Sequence, residues 1–267
     1  MLVNSVLKAY QNERLGAGYS PETIDRVVGN IKMYCRETRV RSIERMTTDS
    51  VIRWGTTKLL NGKKQSTISA YYNSIRSLIC YLDDVKIPHT LDKTRIHCKP
   101  VYERMVCLRP NDVKRIVCRA DEETSLLIRL MYSTGMRISE ATSLTPFHIT
   151  GTEIYIRGKG GKVRTVFTTA VIAEELKVRE QGESPFFNLD RSTAYYRIKK
   201  AMVAAGYPTA YPHSLRHTFT TTMLRQGADI SHVQRLLGHS NISTTARYTH
   251  LVTDDIKKAH AKFLIEV

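Results

Sequence analysis

The fold and chemistry of this chain are decided by His213-Ser214-Leu215-Arg216-His217, followed by Leu236-Leu-Gly-His-Ser240 and Ala246-Arg-Tyr-Thr-His250. Imidazole, guanidinium and phenol groups recur here within about three dozen residues, each beside a small or turn-forming residue. A phenol is a poor nucleophile unless cationic donors surround its target, and a phosphodiester suits such a cluster best. The stretch therefore predicts a site for chemistry on a phosphate.

Length and composition indicate a globular protein that binds a polyanion. The chain has 267 residues, of which 42% are hydrophobic, enough for one large domain or two ordinary ones. Its formal charge of +16 favours nucleic acid as a partner, with a merely basic protein as the alternative. We read no membrane-spanning run and no signal peptide, and the five cysteines, without a C-x-x-C pair, are expected to be reduced thiols. These features predict a cytoplasmic protein that does not enter a membrane.

The hydrophobic periodicity divides the chain into two domains. Residues 1–84 are predicted to form a helical domain, and residues 85–107, basic and interrupted by prolines, a linker. The start signal Arg109-Pro110-Asn111-Asp112 opens a larger domain that spans residues 108–267.

Within the first domain, three helix starts can be assigned from capping residues. Ser20 is predicted to cap a helix whose first residue is Pro21. Asp49 and Ser66 are candidate caps for two later helices.

The larger domain combines one hairpin with helices. Glu153–Arg157 and Val163–Phe167 have β-type patterns, and the tight turn Gly158–Lys162 joins them. Helical patterns follow at about 170–181, 192–205, 214–226 and 230–237. The predicted fold class is mainly α with a small antiparallel β-sheet.

Each candidate site segment also has an ordinary structural interpretation. Arg137 and Glu140, just after the helix-ending Gly135, suit an anion site or a surface ion pair at i,i+3. His213 and His217 share a helix face at metal-ligand spacing, but the neighbouring Arg216 would repel a cation.

The turn and the tyrosine are equally ambiguous by themselves. Gly158–Lys162 suits either an ammonium presented to a bound backbone or a solvated basic turn. Tyr248 is one of 14 tyrosines, most of which are expected to pack in or beside the core.

The motifs taken together resemble the tyrosine recombinase, or phage integrase, family, and most closely its short Xer-like members. The resemblance covers about residues 108–252 and rests on R-x-S-E, G-K-G, H-x-L-R-H-T-F, L-L-G-H-S and S-T-T-x-x-Y-T-H in the family's order. It implies an N-terminal helical core-binding (SAM-like) domain, followed by a mixed α+β tyrosine-recombinase catalytic domain.

The resemblance also implies roles for individual residues. Arg137 and Arg216 match the arginines that grip the scissile phosphate, and Lys159 matches the lysine of the β-hairpin turn. His213 and His239 match the family's two histidine positions, and Tyr248 matches the nucleophile. Glu140 matches the acidic residue that supports the first arginine, and His217 is expected to be supportive. Lys162 remains an alternative to Lys159, and neither a metal nor a cofactor is implied.

The implied activity is site-specific DNA recombination through a 3′-phosphotyrosyl intermediate. The implied partners are double-stranded DNA and further copies of the chain in a synaptic tetramer, in a bacterial, archaeal or phage and mobile-element context. A type IB topoisomerase and a non-catalytic accessory protein on the same fold are the alternatives. Integration, excision and dimer resolution stay open, as does the need for an accessory factor or partner recombinase. The tail at 254–267 is hypothesised to dock on a neighbouring copy, with packing on its own domain as the alternative.

Overall fold

A computed structural model describes residues 1–99, 106–158, 163–180 and 182–238 of the chain. The chain divides into two compact units, residues 1–103 and 104–267. Within the described ranges, no helix is sufficiently long and apolar to cross a membrane.

The first unit is built from four helices around one apolar core. Its core contains Ile31, Tyr34 and Leu78, each with none of its surface exposed. The helices are α1 (Val3–Gly16), α2 (Pro21–Thr38), α3 (Thr48–Leu60) and α4 (Gln65–Asp84). A 3₁₀ turn at Ile43–Arg45 separates α2 from α3.

The predicted start of α2 is confirmed, whereas the other two predicted caps are wrong. Ser20 is the N-cap of α2, although its hydroxyl donates to Thr23 Oγ1 and makes no capping bond. Thr47 caps α3 by accepting from the amide of Ser50, so Asp49 lies in the first turn, where its charge still favours the helix dipole. Helix α4 begins one residue before Ser66, because Lys64 is already the extended residue at the N-cap position.

Part of the segment predicted as a linker packs on the first unit. Thr90 forms a parallel bridge with Thr47, and its hydroxyl donates to the Met46 carbonyl. Leu91 and Ile96 belong to the first core, with 6% and 0% of their surfaces exposed. The described residues up to 99 therefore include apolar anchors that the basic composition of this segment concealed.

The second unit surrounds a larger core with helices and one small sheet. Its α-helices are α5 (Pro110–Val117), α6 (Glu122–Thr134), α7 (Ile138–Thr142), α8 (Ala170–Val178), α9 (Arg191–Ala204), α10 (Pro212–Arg225) and α11 (Ile230–Leu237). The predicted start signal at Arg109 is confirmed, since the Asp112 carboxylate accepts from the Arg109 amide and Pro110 is the first helical residue. The pattern read at 170–181 ends earlier, at Val178.

The sheet is antiparallel and positions one charged side chain on its inner face. Strands β2 (Glu153–Arg157) and β3 (Val163–Phe167) have the predicted bounds, and β1 (Ile149–Thr150) adds an edge that was not predicted. Because Arg164 pairs with the buried Ile156, it shares a face with Val166. The predicted fold class, mainly α with a small antiparallel sheet, is confirmed.

Candidate active site

Gly135 shapes the start of the candidate site. It ends α6 in the left-handed conformation, with φ of 67°, as the sequence predicted. A Cβ at this position would lie 2.5 Å from the Phe219 ring and 3.0 Å from Leu237, so only glycine allows α10 and α11 to approach so closely. The chain then turns immediately into Arg137, the N-cap residue of α7.

Glu140 joins two arginines in a partly enclosed cluster. Its carboxylate accepts from the amide and, at 2.8 Å, from Nη1 of Arg137, and from Nη1 and Nη2 of Arg164 at 3.1 and 2.6 Å. Burial raises the pKa of Glu140, but the hydrogen bonds and charges of Arg164 and Arg137 outweigh it, so the pKa falls below its usual value. The carboxylate is 11% exposed and the Arg137 side chain 40%. The predicted ion pair between Arg137 and Glu140 therefore forms, and a third residue, Arg164, shares its carboxylate. The anion-site interpretation stays a prediction.

Arg216 fixes the relative positions of two helix ends. It comes from the middle of α10 and is 2% exposed. Its Nη1 donates to the Gly135 carbonyl at 2.7 Å, and its Nη2 to the Leu237 carbonyl at 2.6 Å. Carbonyls at helix C-termini lack intrahelical donors and carry partial negative charge, so a guanidinium suits them well. The two bonds fix the plane of the Arg216 guanidinium next to Gly135, two residues before Arg137 in the chain.

His213 lies within the electrostatic reach of both arginines. Burial of the ring among protein atoms, and then the charges of Arg216 and Arg137, lower the pKa of His213 from 6.5 to about 4. The residue as a whole is exposed, so water screens part of this effect, but the direction is toward a neutral ring. The His217 ring stands edge-on to the His213 ring, with centroids 4.5 Å apart.

The titration of His213 provides a direct check of this arrangement. We expect its pKa, measured by NMR on histidine-labelled protein, to lie near 4 and to rise in Arg137→Gln, because one of the repelling charges is removed. Between pH 4 and 6.5 the unfolded chain binds more protons at this position, so His213 lowers the free energy of unfolding as the pH falls through this window.

A matched control removes an arginine elsewhere in the same unit. Arg129 makes a two-pronged ion pair with Glu175 at 2.6 and 2.5 Å. Arg129→Gln should leave the pKa of His213 unchanged. An ordinary pKa of 6.5, or equal responses to the two substitutions, would contradict the arrangement.

The described structure thus brings together four of the residues predicted as a site, Arg137, Glu140, His213 and Arg216, with His217 beside them. The remaining predicted residues, Lys159, His239 and Tyr248, lie outside the described residues, as do Lys162 and the tail. In the sequence, His239 follows directly after Gly238, which ends α11 in the left-handed conformation with φ of 64°.

Sequence reasoning missed Arg164. The available signal was its position in β3: alternation places residues 164 and 166 on one face, and Val166 marks that face as the inner one. An arginine on the inner face of a strand needs a partner, and Glu140 is that partner.

Comparison with known proteins identifies the class of protein that this fold and site define. Residues 107–254 match the model of the phage integrase family, to which the chain belongs. A tyrosine recombinase of Pseudothermotoga lettingae is 27% identical over 92% of this chain and 93% of its own. Tyrosine recombinase XerD of Vibrio vulnificus is 33% identical over 74% of each chain.

A solved structure shows the same fold. A lambda integrase tetramer bound to a Holliday junction superposes with a TM-score of 0.77, at 16% identity, over 93% of this chain and 77% of the other. This structure shows the shared fold, and the family match and the two relatives confirm the resemblance to tyrosine recombinases.

Proposed function

We propose that this chain is a site-specific DNA recombinase that cleaves and rejoins double-stranded DNA through a 3′-phosphotyrosyl intermediate. Tyr248 attacks the scissile phosphorus, the tyrosyl–phosphate bond forms, and the bond to the 5′-oxygen breaks. The 5′-hydroxyl of a second strand then reverses the step. The energy of the ester is retained in the protein–DNA bond, so no external energy source is required.

One observation carries the proposal: two guanidiniums from distant segments act on one imidazole. Arg137 and Arg216 both lower the pKa of His213, so their charges converge on one small region. A pentacovalent phosphorus transition state spreads negative charge over its nonbridging oxygens, and forked arginine donors suit these oxygens better than an ammonium does. We assign Arg137, Arg216 and His239 to this charge, with Glu140 orienting Arg137.

Two further groups are assigned to the protons. His213, neutral at pH 7, can accept the Tyr248 proton, and cations near the phenol favour its ionisation. Lys159, on the turn between β2 and β3, is the proposed acid for the departing 5′-oxygen, with Lys162 as the alternative. His217 supports His213 through the contact between their rings. Fixed cations carry out the charge stabilisation in this scheme.

The net charge and the relatives support the proposed partners. A charge of +16 favours phosphate contacts with strong salt dependence. Solved relatives with this fold include a lambda integrase dimer on a core site and a tetramer on a Holliday junction. We propose that this chain likewise binds duplex DNA and assembles into a synaptic tetramer on it, from a helical core-binding domain at 1–84, a linker at 85–107 and a catalytic domain at 108–267.

Covalent capture tests the proposal. Rounds of binding selection from a random duplex library yield the preferred sequence. A duplex of the selected sequence is nicked close to the cleavage point, so that the departing fragment diffuses away. We expect this nicked duplex to form an adduct that survives denaturing electrophoresis. The released strand should carry a 5′-hydroxyl, which polynucleotide kinase labels without phosphatase treatment.

A second assay separates recombination from relaxation. A plasmid with two copies of the selected site should yield recombinant products. Relaxed plasmid without recombinants would identify a topoisomerase, and binding without any adduct would identify an accessory protein; either result contradicts the proposal.

A further inference from the structure

All three guanidinium nitrogens of Arg164 donate hydrogen bonds to other groups of the protein. Its Nη1 and Nη2 donate to the two Glu140 oxygens, and its Nε donates to the Leu236 carbonyl at 2.8 Å. The side chain is 9% exposed. An enclosed charge is retained only when its partners compensate for lost hydration, and here each guanidinium nitrogen has a protein acceptor.

These bonds connect three parts of the candidate site. Arg164 is the second residue of β3, the strand that follows the predicted turn Gly158–Lys162 in the sequence. Through Glu140 it reaches Arg137, and through Leu236 it holds the last turn of α11, beside the Leu237 carbonyl that accepts from Arg216. Gly238 fits against it closely, because a Cβ there would lie 2.9 Å from Arg164 Cδ. The residue after Gly238 in the chain is His239.

The charges explain why a second arginine is useful on Glu140. Arg137 and Glu140 alone sum to zero, so the carboxylate would compete with a phosphate for Arg137. With Arg164 included, the three groups sum to +1, and the competition for Arg137 is reduced. Arg137 keeps 40% of its side chain exposed and gives only Nη1 of its side chain to Glu140, whereas Arg164 is 9% exposed and donates from all three nitrogens to protein acceptors. Of the two partners of Glu140, Arg137 is therefore the one placed to meet a ligand.

We propose that Arg164 is a positioning residue for the recombination reaction: it neutralises Glu140, so that Arg137 stays available to the phosphate, and it anchors the end of α11 that leads into His239. This inference rests on the proposed function and adds to it a residue outside the family motifs quoted above.

The test compares cleavage with binding. In Arg164→Gln, we expect the single-turnover rate of adduct formation at saturating DNA to fall by at least about 30-fold, since misplacement by roughly 1 Å is enough for such losses. DNA affinity should stay within about threefold, because all three guanidinium nitrogens of Arg164 already donate to Glu140 and Leu236. Arg164→Lys keeps the charge but has one nitrogen for three acceptors, so its rate should lie between those of the wild type and Arg164→Gln.

Coupling to Glu140 distinguishes positioning from general damage. The part of the Arg164 effect that passes through Glu140 should be absent when Glu140 is already neutral. The double variant Arg164→Gln/Glu140→Gln should therefore lose less rate than the product of the two single losses, and the loss that remains beyond Glu140→Gln reports the bond to Leu236. The control pair Arg129→Gln and Glu175→Gln removes an equally two-pronged ion pair and should change the rate less than about threefold.

Each outcome decides. An Arg164→Gln rate within threefold of an active wild type, or multiplicative losses in the double variant, overturns the inference alone. If Arg164→Gln does not fold, Arg164→Lys takes its place in the test. An Arg164→Lys cleavage rate within twofold of the wild type then overturns the inference. A wild type without adduct overturns the proposed function, and this inference falls with it.

Discussion

Replacement of Tyr248 by phenylalanine is expected to abolish covalent capture of DNA. The substitution removes one oxygen and leaves the ring, so the nucleophile is lost while the packing volume is nearly preserved. A phenylalanine has no oxygen with which to form the phosphotyrosyl bond. We expect adduct formation on the nicked duplex to fall by more than about 10³-fold, to the detection limit.

DNA binding is the internal control for Tyr248→Phe. Affinity in a gel-shift assay should stay close to that of the wild type, because phosphate contacts from arginines and lysines dominate it.

Tyr196→Phe is the matched variant, since Tyr196 is a 68% exposed tyrosine on α9 of the same unit. It should form adduct at the rate of the wild type. Adduct that survives Tyr248→Phe and disappears in Tyr196→Phe would reassign the nucleophile.

Arg216→Lys is expected to be the most damaging change among the described residues. Arg216 is 2% exposed, and its guanidinium bonds two helix-end carbonyls, those of Gly135 and Leu237. A lysine has one nitrogen and lacks the planar fork, so it cannot satisfy both carbonyls and also present paired donors to a phosphate.

Two effects should follow from Arg216→Lys. Loss of one preorganised transition-state donor typically lowers a rate by about 10²–10³-fold, and we expect adduct formation to fall at least this much. The free energy of unfolding should decrease by about 1–3 kcal/mol, because a buried carbonyl loses its donor. Single-turnover capture and chemical denaturation measure the two effects separately.

Arg129→Lys controls for the loss of a guanidinium as such. It should leave capture unchanged, because Arg129 pairs with Glu175 and with none of the proposed catalytic residues among its described contacts. An Arg216→Lys protein that captures DNA within tenfold of the wild type would show that the fork is not needed.

Local chemistry explains which elements could be predicted. Gly135 and Gly238 end helices in the left-handed conformation that glycine favours, and Pro21 and Pro110 begin helices at the position where a missing amide is harmless. The predictions of Asp49 and Ser66 as helix caps were wrong because several neighbouring residues can cap a helix, and the backbone conformation decides among them. β1 was missed because two residues carry no periodicity.

The sequence by itself determined the class of protein and the candidate residues. Each one lies in a short motif, Arg137 before Glu140 and His213 before Arg216, and the order of the motifs is specific to one family. Assignment of Lys159, His239 and Tyr248 rests on this order.

Only the tertiary structure decided how these residues cooperate. It placed the guanidinium of Arg216 between the ends of α6 and α11, moved the pKa of His213 downward, and added Arg164 as a second partner of Glu140. These facts depend on contacts between segments far apart in the chain. Burial, charge and hydrogen bonding at a site are properties of such contacts, and no local spacing of residues encodes them.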